Sequence, residues 1–246
     1  MGAEDRPFLE TRDLRKSFGH VQALQGTGLS ASRGRILAIV GDNGAGKSTL
    51  IKIISGVIFP DSGSLTIEGK KYTRLDPHLA GKLGISTVYQ DLSLVDSLSV
   101  WENMFLGHEY HRAGWLNKKK MRSDAIKLLS DFRINIPDID ARVGDLSGGQ
   151  RQAAAVARAL LQGGKLLIFD EPTAAMGIRE TGMVEQLILS LPDRGIGVII
   201  ISHNMQQVFN LADTICVMKL GRVIAEKAKE SVTPEEVAAM IVSGVA

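Results

Sequence analysis

Apolar runs alternate with segments of helical periodicity along most of the chain. Four short, almost wholly apolar runs have the pattern of strands buried on both faces: residues 35–40, 166–169, 197–202 and 214–219. Other segments repeat apolar positions at helical spacing: residues 47–56, 150–161, 178–191 and 204–211. Strands that alternate with helices predict an α/β fold, with a mostly parallel sheet covered on both faces.

Three segments depart from this alternation. Residues 8–29 have the pattern of short alternating strands with polar breaks, and residues 64–69 have that of a further exposed strand. We therefore expect an antiparallel β-subdomain that includes the N-terminal strands. Residues 99–132 have helical patterning, interrupted by Gly107 and Gly114, and predict a helical region.

The charge balance limits the classes of partner. The chain has 246 residues and a net charge of +2 at pH 7, so it lacks the basic footprint of a nucleic-acid binder. Its one dense basic cluster, residues 118–122, is interpreted as the solvated start of a helix. We expect no nucleic-acid partner.

Apolar length and cysteine content bear on location. No apolar stretch approaches the roughly 20 residues that span a bilayer, and the acidic N-terminal segment lacks the apolar core of a secretory signal. Any membrane role is therefore expected to be peripheral. The one cysteine, Cys216, lies in an apolar run, which predicts a buried structural thiol in a reducing compartment.

A phosphate-binding motif follows the first buried strand. Residues 41–49 are GDNGAGKST, in which glycines let backbone N–H groups turn toward the phosphates of a nucleotide. Lys47 is expected to reach the β- and γ-phosphates, and Ser48 is expected to bind magnesium. The predicted nucleotide-binding residues of this loop are Gly41, Asn43, Gly44, Ala45, Gly46, Lys47, Ser48 and Thr49.

Two acidic residues end the apolar strand at residues 166–169. Ligands bind at the carboxyl edge of parallel sheets, so Asp170 is the expected magnesium partner and Glu171 the expected general base. Adjacent residues on a regular strand point to opposite sides. The division of roles therefore predicts a turn at Pro172.

The pentapeptide LSGGQ, residues 146–150, predicts a second anion site. Ser147 can cap a helix, and the N–H groups of Gly148 and Gly149 are expected to be bare at its positive end. We include Ser147, Gly148, Gly149 and Gln150 among the nucleotide-binding residues. One nucleotide does not need two such helix ends, one after the phosphate loop and one at LSGGQ, from the same chain. We therefore expect the LSGGQ end of one copy to contact the nucleotide bound by another copy.

These motifs together resemble the nucleotide-binding subunits of ATP-binding-cassette (ABC) transporters, over essentially the full chain. The resemblance implies one domain spanning residues 1–246, with a P-loop NTPase core and an N-terminal antiparallel β-subdomain. It also implies an α-helical subdomain inserted at about residues 91–150. The implied activity is ATP hydrolysis with Mg²⁺ as cofactor.

The resemblance supplies three further site residues. It implies that Gln90 acts in catalysis and magnesium binding, and that His203 contacts the γ-phosphate during catalysis. Phe18 matches the aromatic position that stacks on adenine, where tyrosine is commoner. Gly177 stands where the family usually has an aspartate that bonds across a dimer, and this change puts that bond in doubt.

Four stretches are similar to importers of the ribose, xylose and fructose type: residues 56–70, 89–107, 171–177 and 201–213. This similarity implies ATP-driven import of a monosaccharide through an integral-membrane permease, with an extracytoplasmic sugar-binding protein as an indirect partner. Many members of that branch have two fused cassettes, whereas this chain has one. We therefore expect a head-to-tail homodimer that is peripheral to the cytoplasmic face of the inner membrane.

Two alternatives remain open at this point. The first is an ABC ATPase subunit for another cargo, such as amino acids or lipids. The second, less favoured, is a non-transport ABC ATPase that acts in DNA repair or on ribosomes. Against it, Gln90 and Leu146 are too close in sequence for a long inserted coiled coil, and sustained heptads are absent.

Overall fold

The computed structural model describes residues 7–112, 114–174 and 176–245. Within them the strands are Leu9–Phe18 (β1), Val21–Ala31 (β2), Ile36–Val40 (β3), Ser62–Ile67 (β4), Lys70–Tyr72 (β5), Ile85–Val88 (β6), His111–Arg112 (β7), Trp115–Leu116 (β8), Leu166–Asp170 (β9), Gly197–Ile201 (β10), Thr214–Lys219 (β11) and Arg222–Ala228 (β12). The α-helices are Lys47–Ile54 (α1), Pro77–Lys82 (α2), Val100–Phe105 (α3), Lys118–Asp131 (α4), Gly148–Leu161 (α5), Ile178–Ser190 (α6), Met205–Leu211 (α7) and Pro234–Ser243 (α8).

A six-stranded sheet in the order β12-β11-β3-β10-β9-β6 forms the centre of the molecule. Neighbouring strands from β11 to β6 are parallel, and only β12 is antiparallel to its neighbour. Every residue of β3 and β10 is buried. Burial on both faces accounts for the continuous apolar runs, and the predicted mostly parallel sheet is confirmed.

A four-stranded antiparallel sheet in the order β2-β1-β4-β5 packs against one side of this core. Leu9 and Leu65 from the antiparallel sheet join Ile51 of α1 and Ile39 of β3 in one buried cluster. The shared cluster fixes α1, and the loop before it, against both sheets. The expected antiparallel subdomain is confirmed.

The helices between β6 and β9 form the inserted helical region. Trp101 of α3, Ala125 of α4 and Val156 of α5 belong to a second buried cluster, which also includes Phe169 of β9. The cluster joins the insertion to the other face of the central sheet. The helix α5 then runs back to the sheet, so it belongs to both parts.

The helical prediction for residues 99–132 is only partly right. Helix α3 ends at Phe105, and α4 begins at Lys118. Between them β7 and β8 pair as a short antiparallel hairpin. Gly107 and Gly114, with φ of 79° and 83°, supply turns that a continuous helix cannot accommodate. The lysines at 118–120 form an exposed helix start, as expected.

The structure bears on membrane-spanning helices and on the single cysteine. In the three described ranges, no helix is both long enough and apolar enough to cross a membrane. Cys216 is fully buried in β11, and its burial raises the pKa of the thiol to about 12. The prediction of a structural, unreactive cysteine is therefore consistent with its surroundings.

Candidate functional site

The phosphate loop connects β3 directly to α1. Gly41, Gly44 and Gly46 all have positive φ, at 152°, 84° and 101°. A Cβ at Gly41 would lie 2.2 Å from the carbonyl oxygen of Met218, and one at Gly46 would lie 2.5 Å from that of Ala23. The loop therefore requires glycine at these two positions for space as well as for backbone conformation.

An open cavity of about 550 Å³ lies over this loop. Most of the predicted catalytic, nucleotide-binding and metal-binding residues line it together: Asn43, Gly44, Ala45, Gly46, Lys47, Ser48, Thr49, Gln90, Asp170, Glu171 and His203. They come from different strand ends of the central sheet, which meet at its carboxyl edge. Gly41 does not line the cavity itself and acts as the turn that begins the loop.

Lys47 is held by the loop that it follows. Its Nζ donates to the carbonyl oxygens of Gly41 and Asp42, at 2.6 and 3.0 Å. Burial lowers the pKa of Lys47, and the nearby carboxylates of Glu171, Asp42 and Asp170 oppose that shift. The ammonium group is thus placed over the loop, among groups of opposite charge.

The acidic pair at the end of β9 is separated by a change in the backbone. Asp170 is the last residue of the strand, and Glu171 has a φ of 51°, in the left-handed region. Its N–H donates to the carbonyl oxygen of Ile201, at 2.9 Å. The expected turn at Pro172 is therefore already made at Glu171, which lets both carboxylates line one cavity.

Burial also acts on the carboxylate of Asp170. It raises the pKa of Asp170, the negative charge of Glu171 raises it further, and Lys47 and Lys52 oppose the shift. Like charges in a partly buried site disfavour ionisation. This corner of the site favours a cation, because a cation would relieve the repulsion between the two carboxylates.

His203 is paired with the expected general base. It lies in the short loop between β10 and α7, and its Nδ1 is 2.7 Å from Glu171 Oε1. The imidazole ring is largely exposed, whereas the Glu171 side chain is mostly buried. The histidine therefore contacts the carboxylate from the open side of the cavity.

Phe18 is not among the residues that line this cavity. It ends β1, is 51% exposed, and has the Lys16 ammonium 5.6 Å from its ring centroid. The adjacent wall is formed instead by Val21, Gln22 and Ala23 of β2, which the sequence reasoning missed. The available sequence signal was the two-residue turn at Gly19 and His20, which brings the start of β2 beside Phe18.

The LSGGQ segment begins α5 as a capped helix, away from the phosphate loop. The Ser147 hydroxyl accepts from the N–H of Gln150, and the Gln150 side chain accepts from the N–H of Ser147. Gly148 lines a second cavity of about 530 Å³, whose wall also includes Gln90 and Glu171. Ser147, Gly149 and Gln150 are not among the residues that line either cavity.

The expectation that the two glycine N–H groups are bare is wrong for Gly148. Its N–H donates to Glu180 Oε1 of α6, at 3.1 Å. Sequence reasoning missed Glu180 because the contact joins two helices that are distant in sequence.

The fold and the grouped motifs agree with comparisons to known proteins. A family model described as ABC transporter matches residues 24–174, which is more than half of the chain. The chain belongs to the ABC transporter family. It is 48% identical to the xylose/arabinose import ATP-binding protein XylG of Sulfolobus acidocaldarius, over 96% of this chain and 94% of that protein.

Other ABC proteins extend the comparison. The fructose import ATP-binding protein FrcA of Rhizobium meliloti is 46% identical over 88% of this chain and 86% of that protein. Among solved structures, the ADP conformation of MJ1267, an ATP-binding cassette of an ABC transporter, has a TM-score of 0.83 at 30% identity. That match covers 97% of this chain and 96% of the other. The dimeric structure of MJ0796, a bacterial ABC transporter cassette, has a TM-score of 0.75 at 26% identity, covering 90% and 98%.

This ABC cassette has Gly177 at the position where the family usually has an aspartate. The residue is the N-cap of α6, with no side-chain cap, and it is exposed. A Cβ there would meet nothing within 4 Å, so the single copy has room for a side chain at this position. The next residue, Ile178, is 95% exposed.

Proposed function

We propose that this chain hydrolyses ATP to drive import of a monosaccharide through a partner membrane permease. The observation that carries the ATPase part is the cavity in which the phosphate loop meets Asp170, Glu171 and His203. The printed names of XylG and FrcA, which refer to import of xylose or arabinose and of fructose, support the sugar part.

The residues divide the reaction between binding and proton transfer. The phosphate loop and Lys47 bind the ATP phosphates, and Lys47 exchanges its contacts with the loop carbonyls for phosphate oxygens. Glu171 orients a water molecule and accepts its proton as the water oxygen bonds to the γ-phosphorus. The bond between the γ-phosphorus and the ADP oxygen breaks. His203 holds Glu171, and we expect it also to contact the transferred phosphoryl group.

The cavity also fits magnesium. Ser48, Gln90 and Asp170 bring a hydroxyl, an amide oxygen and a carboxylate to its wall, and oxygen is the ligand that Mg²⁺ prefers. The described residues contain no group of three or more His, Cys, Asp or Glu that could hold a metal by themselves. Such a sparse protein site suits an ion that takes its other ligands from phosphate and water, and when bound it neutralises phosphate charge.

Two copies complete the sites in a head-to-tail dimer. In a single copy Ser147 and Gly149 do not line the cavity over the phosphate loop. We infer that the ATP bound by one copy is covered by Ser147, Gly148, Gly149 and Gln150 of the other. A resemblance to a cassette solved as a dimer supports this arrangement.

The remaining partners follow from the import role. The dimer sits beneath an integral-membrane sugar permease, at the cytoplasmic face of the membrane. An extracytoplasmic protein binds the sugar and delivers it to the permease. Import of another cargo is the second candidate, but the relatives described above are named for sugars.

Replacement of the general base tests the ATPase assignment. The Glu171→Gln variant should bind ATP as the wild-type chain does, because Lys47 and the loop are intact. Its hydrolysis rate should fall by about 100-fold or more, and an ATP-bound dimer should accumulate. Phosphate release and sedimentation measure the two effects, with Glu185→Gln on α6 as the control. A variant that hydrolyses ATP at the wild-type rate would rule out this role for Glu171.

Capture of the membrane partner tests the transport assignment. The tagged chain is isolated from solubilised native membranes, and the co-purifying proteins are identified by mass spectrometry. We expect a sugar-type permease in a one-to-one ratio with the chain. Capture of ribosomes or DNA-repair proteins instead would contradict the transport role and leave the ATPase chemistry in place.

A further inference from the structure

Glu180 lies between the N-terminal ends of two helices. It is in the first turn of α6, and it accepts the hydrogen bond from Gly148, the first residue of α5. A Cβ at Gly148 would lie 3.4 Å from Glu180 Oε2, and one at Gly149 would lie 3.5 Å from Glu180 Cβ. The carboxylate therefore covers Gly148, while Gly149 packs against the first turn of α6 at Glu180.

This position is an anion site that the chain fills for itself. The N-terminus of a helix carries a partial positive charge and N–H groups without partners inside the helix. A carboxylate and a phosphate satisfy these groups by the same chemistry. A second anion at the same helix end is disfavoured, because its charge repels the first.

The contact is not needed to begin α5. The helix already has a capping box, formed by Ser147 and Gln150 within its own first turn. Glu180 adds a third interaction, which comes from a separate helix. We therefore expect Glu180 to act by occupying the anion site and not by starting the helix.

We propose that Glu180 is a placeholder for the γ-phosphate of ATP bound to a second copy. This inference rests on the proposed head-to-tail dimer. In the single copy the carboxylate holds the LSGGQ helix end, and closure of the dimer replaces it with phosphate. Glu180 thereby raises the ATP concentration that closure requires, because its contact must be given up first.

The second cavity, which Gly148 lines, offers the displaced Glu180 side chain other partners. Arg151, Gln152 and Glu180 all line this cavity. Gln152 is 3% exposed, and its Nε2 has no hydrogen-bond partner among the described residues. A positive charge and a free donor on one wall reduce the cost of moving the carboxylate.

Neutralisation of Glu180 tests the placeholder role. In the Glu171→Gln background, which blocks hydrolysis, dimer formation is followed by sedimentation across an ATP titration. Glu180→Gln keeps an oxygen for Gly148 but removes the charge, so the ATP concentration for half-maximal dimer should fall about 5-fold or more. Glu180→Ala should act in the same direction, and Glu185→Gln should leave the midpoint unchanged.

Two readouts separate this inference from a structural role and from failure of the dimer itself. The melting temperature without nucleotide should fall slightly with Glu180→Gln, because the charged contact at the two helix ends is lost, while the ATP midpoint also falls. An unchanged or higher ATP midpoint would overturn the placeholder role, and a lower melting temperature with weaker dimerisation would show that Glu180 only supports α5. If the Glu171→Gln chain binds ATP but never dimerises, the proposed dimer is wrong and this inference falls with it.

Discussion

At the residue scale, Asp170 shows a conflict between stability and function. Its carboxylate is partly buried beside that of Glu171, and both burial and this neighbouring charge raise the pKa of Asp170. The folded chain is destabilised by keeping that group ionised, since the unfolded chain exposes it to water. We infer that the arrangement persists because nucleotide and cation binding need negative charge there.

Asp170→Asn should therefore stabilise the chain without nucleotide while abolishing ATP hydrolysis. We expect the melting temperature at pH 7 to rise by on the order of 2 °C. The gain should shrink as pH falls through the raised pKa of native Asp170 toward its ordinary value of 3.8, because wild-type Asp170 then becomes neutral too. Asp193→Asn, on an exposed turn, is the control. A gain that grows with acidification would contradict the argument.

Glu171 shows what residue-level reasoning could not reach. The sequence predicts a buried strand with two acids at its end, and both line the cavity. The position of the backbone break depends on the neighbouring strand, because the Glu171 N–H bonds to Ile201 of β10. A partner thirty residues further along the chain leaves no local signal.

At the element scale, helix starts were predictable where capping is local. Ser147 with Gln150 and Thr233 with Glu236 both form capping boxes. The sequence motif is itself the contact in these cases, so no tertiary information is needed. The hairpin between α3 and α4 was missed because two-residue strands have no measurable periodicity.

Helix α4 opposes its own dipole and gives a prediction about stability. Its first turn has Lys118, Lys119 and Lys120 with no acidic residue, and its last residue is Asp131. Lys119→Glu should raise the free energy of unfolding by about 0.5–1 kcal/mol at low ionic strength. Lys127→Glu adds negative charge near Asp131 at the other end of the helix and should lower the free energy of unfolding. Urea unfolding measures both, and equal effects of the two variants would contradict a dipole origin.

At the scale of the whole molecule, the phosphate loop and Gly148 of the LSGGQ segment line separate cavities. Gln90 and Glu171 belong to both walls, so the cavities are adjacent but not one site. A single chain can therefore bind ATP on the phosphate loop without using Ser147. We infer that the dimer, not the chain, is the catalytic unit.

Mixing two inactive variants tests this division of labour. Lys47→Ala removes the phosphate-loop cation, and Ser147→Arg blocks the LSGGQ surface, so each homodimer should lack both working sites. A mixed dimer keeps one complete site, and an equal mixture should recover about a quarter of the wild-type ATPase rate if the sites act independently. Each variant assayed alone, with a melting curve, is the control. A mixture no more active than its components would contradict shared sites.

The sequence by itself determined the α/β class, the buried strands, the phosphate loop and the acidic pair. Each of these depends on neighbouring residues, through apolar periodicity, glycine spacing or capping. The tertiary structure alone decided which residues share a cavity, that β2 rather than Phe18 forms its wall, and that Glu180 covers Gly148. Such contacts depend on how distant elements pack, and packing is a property of the whole chain that no local pattern records.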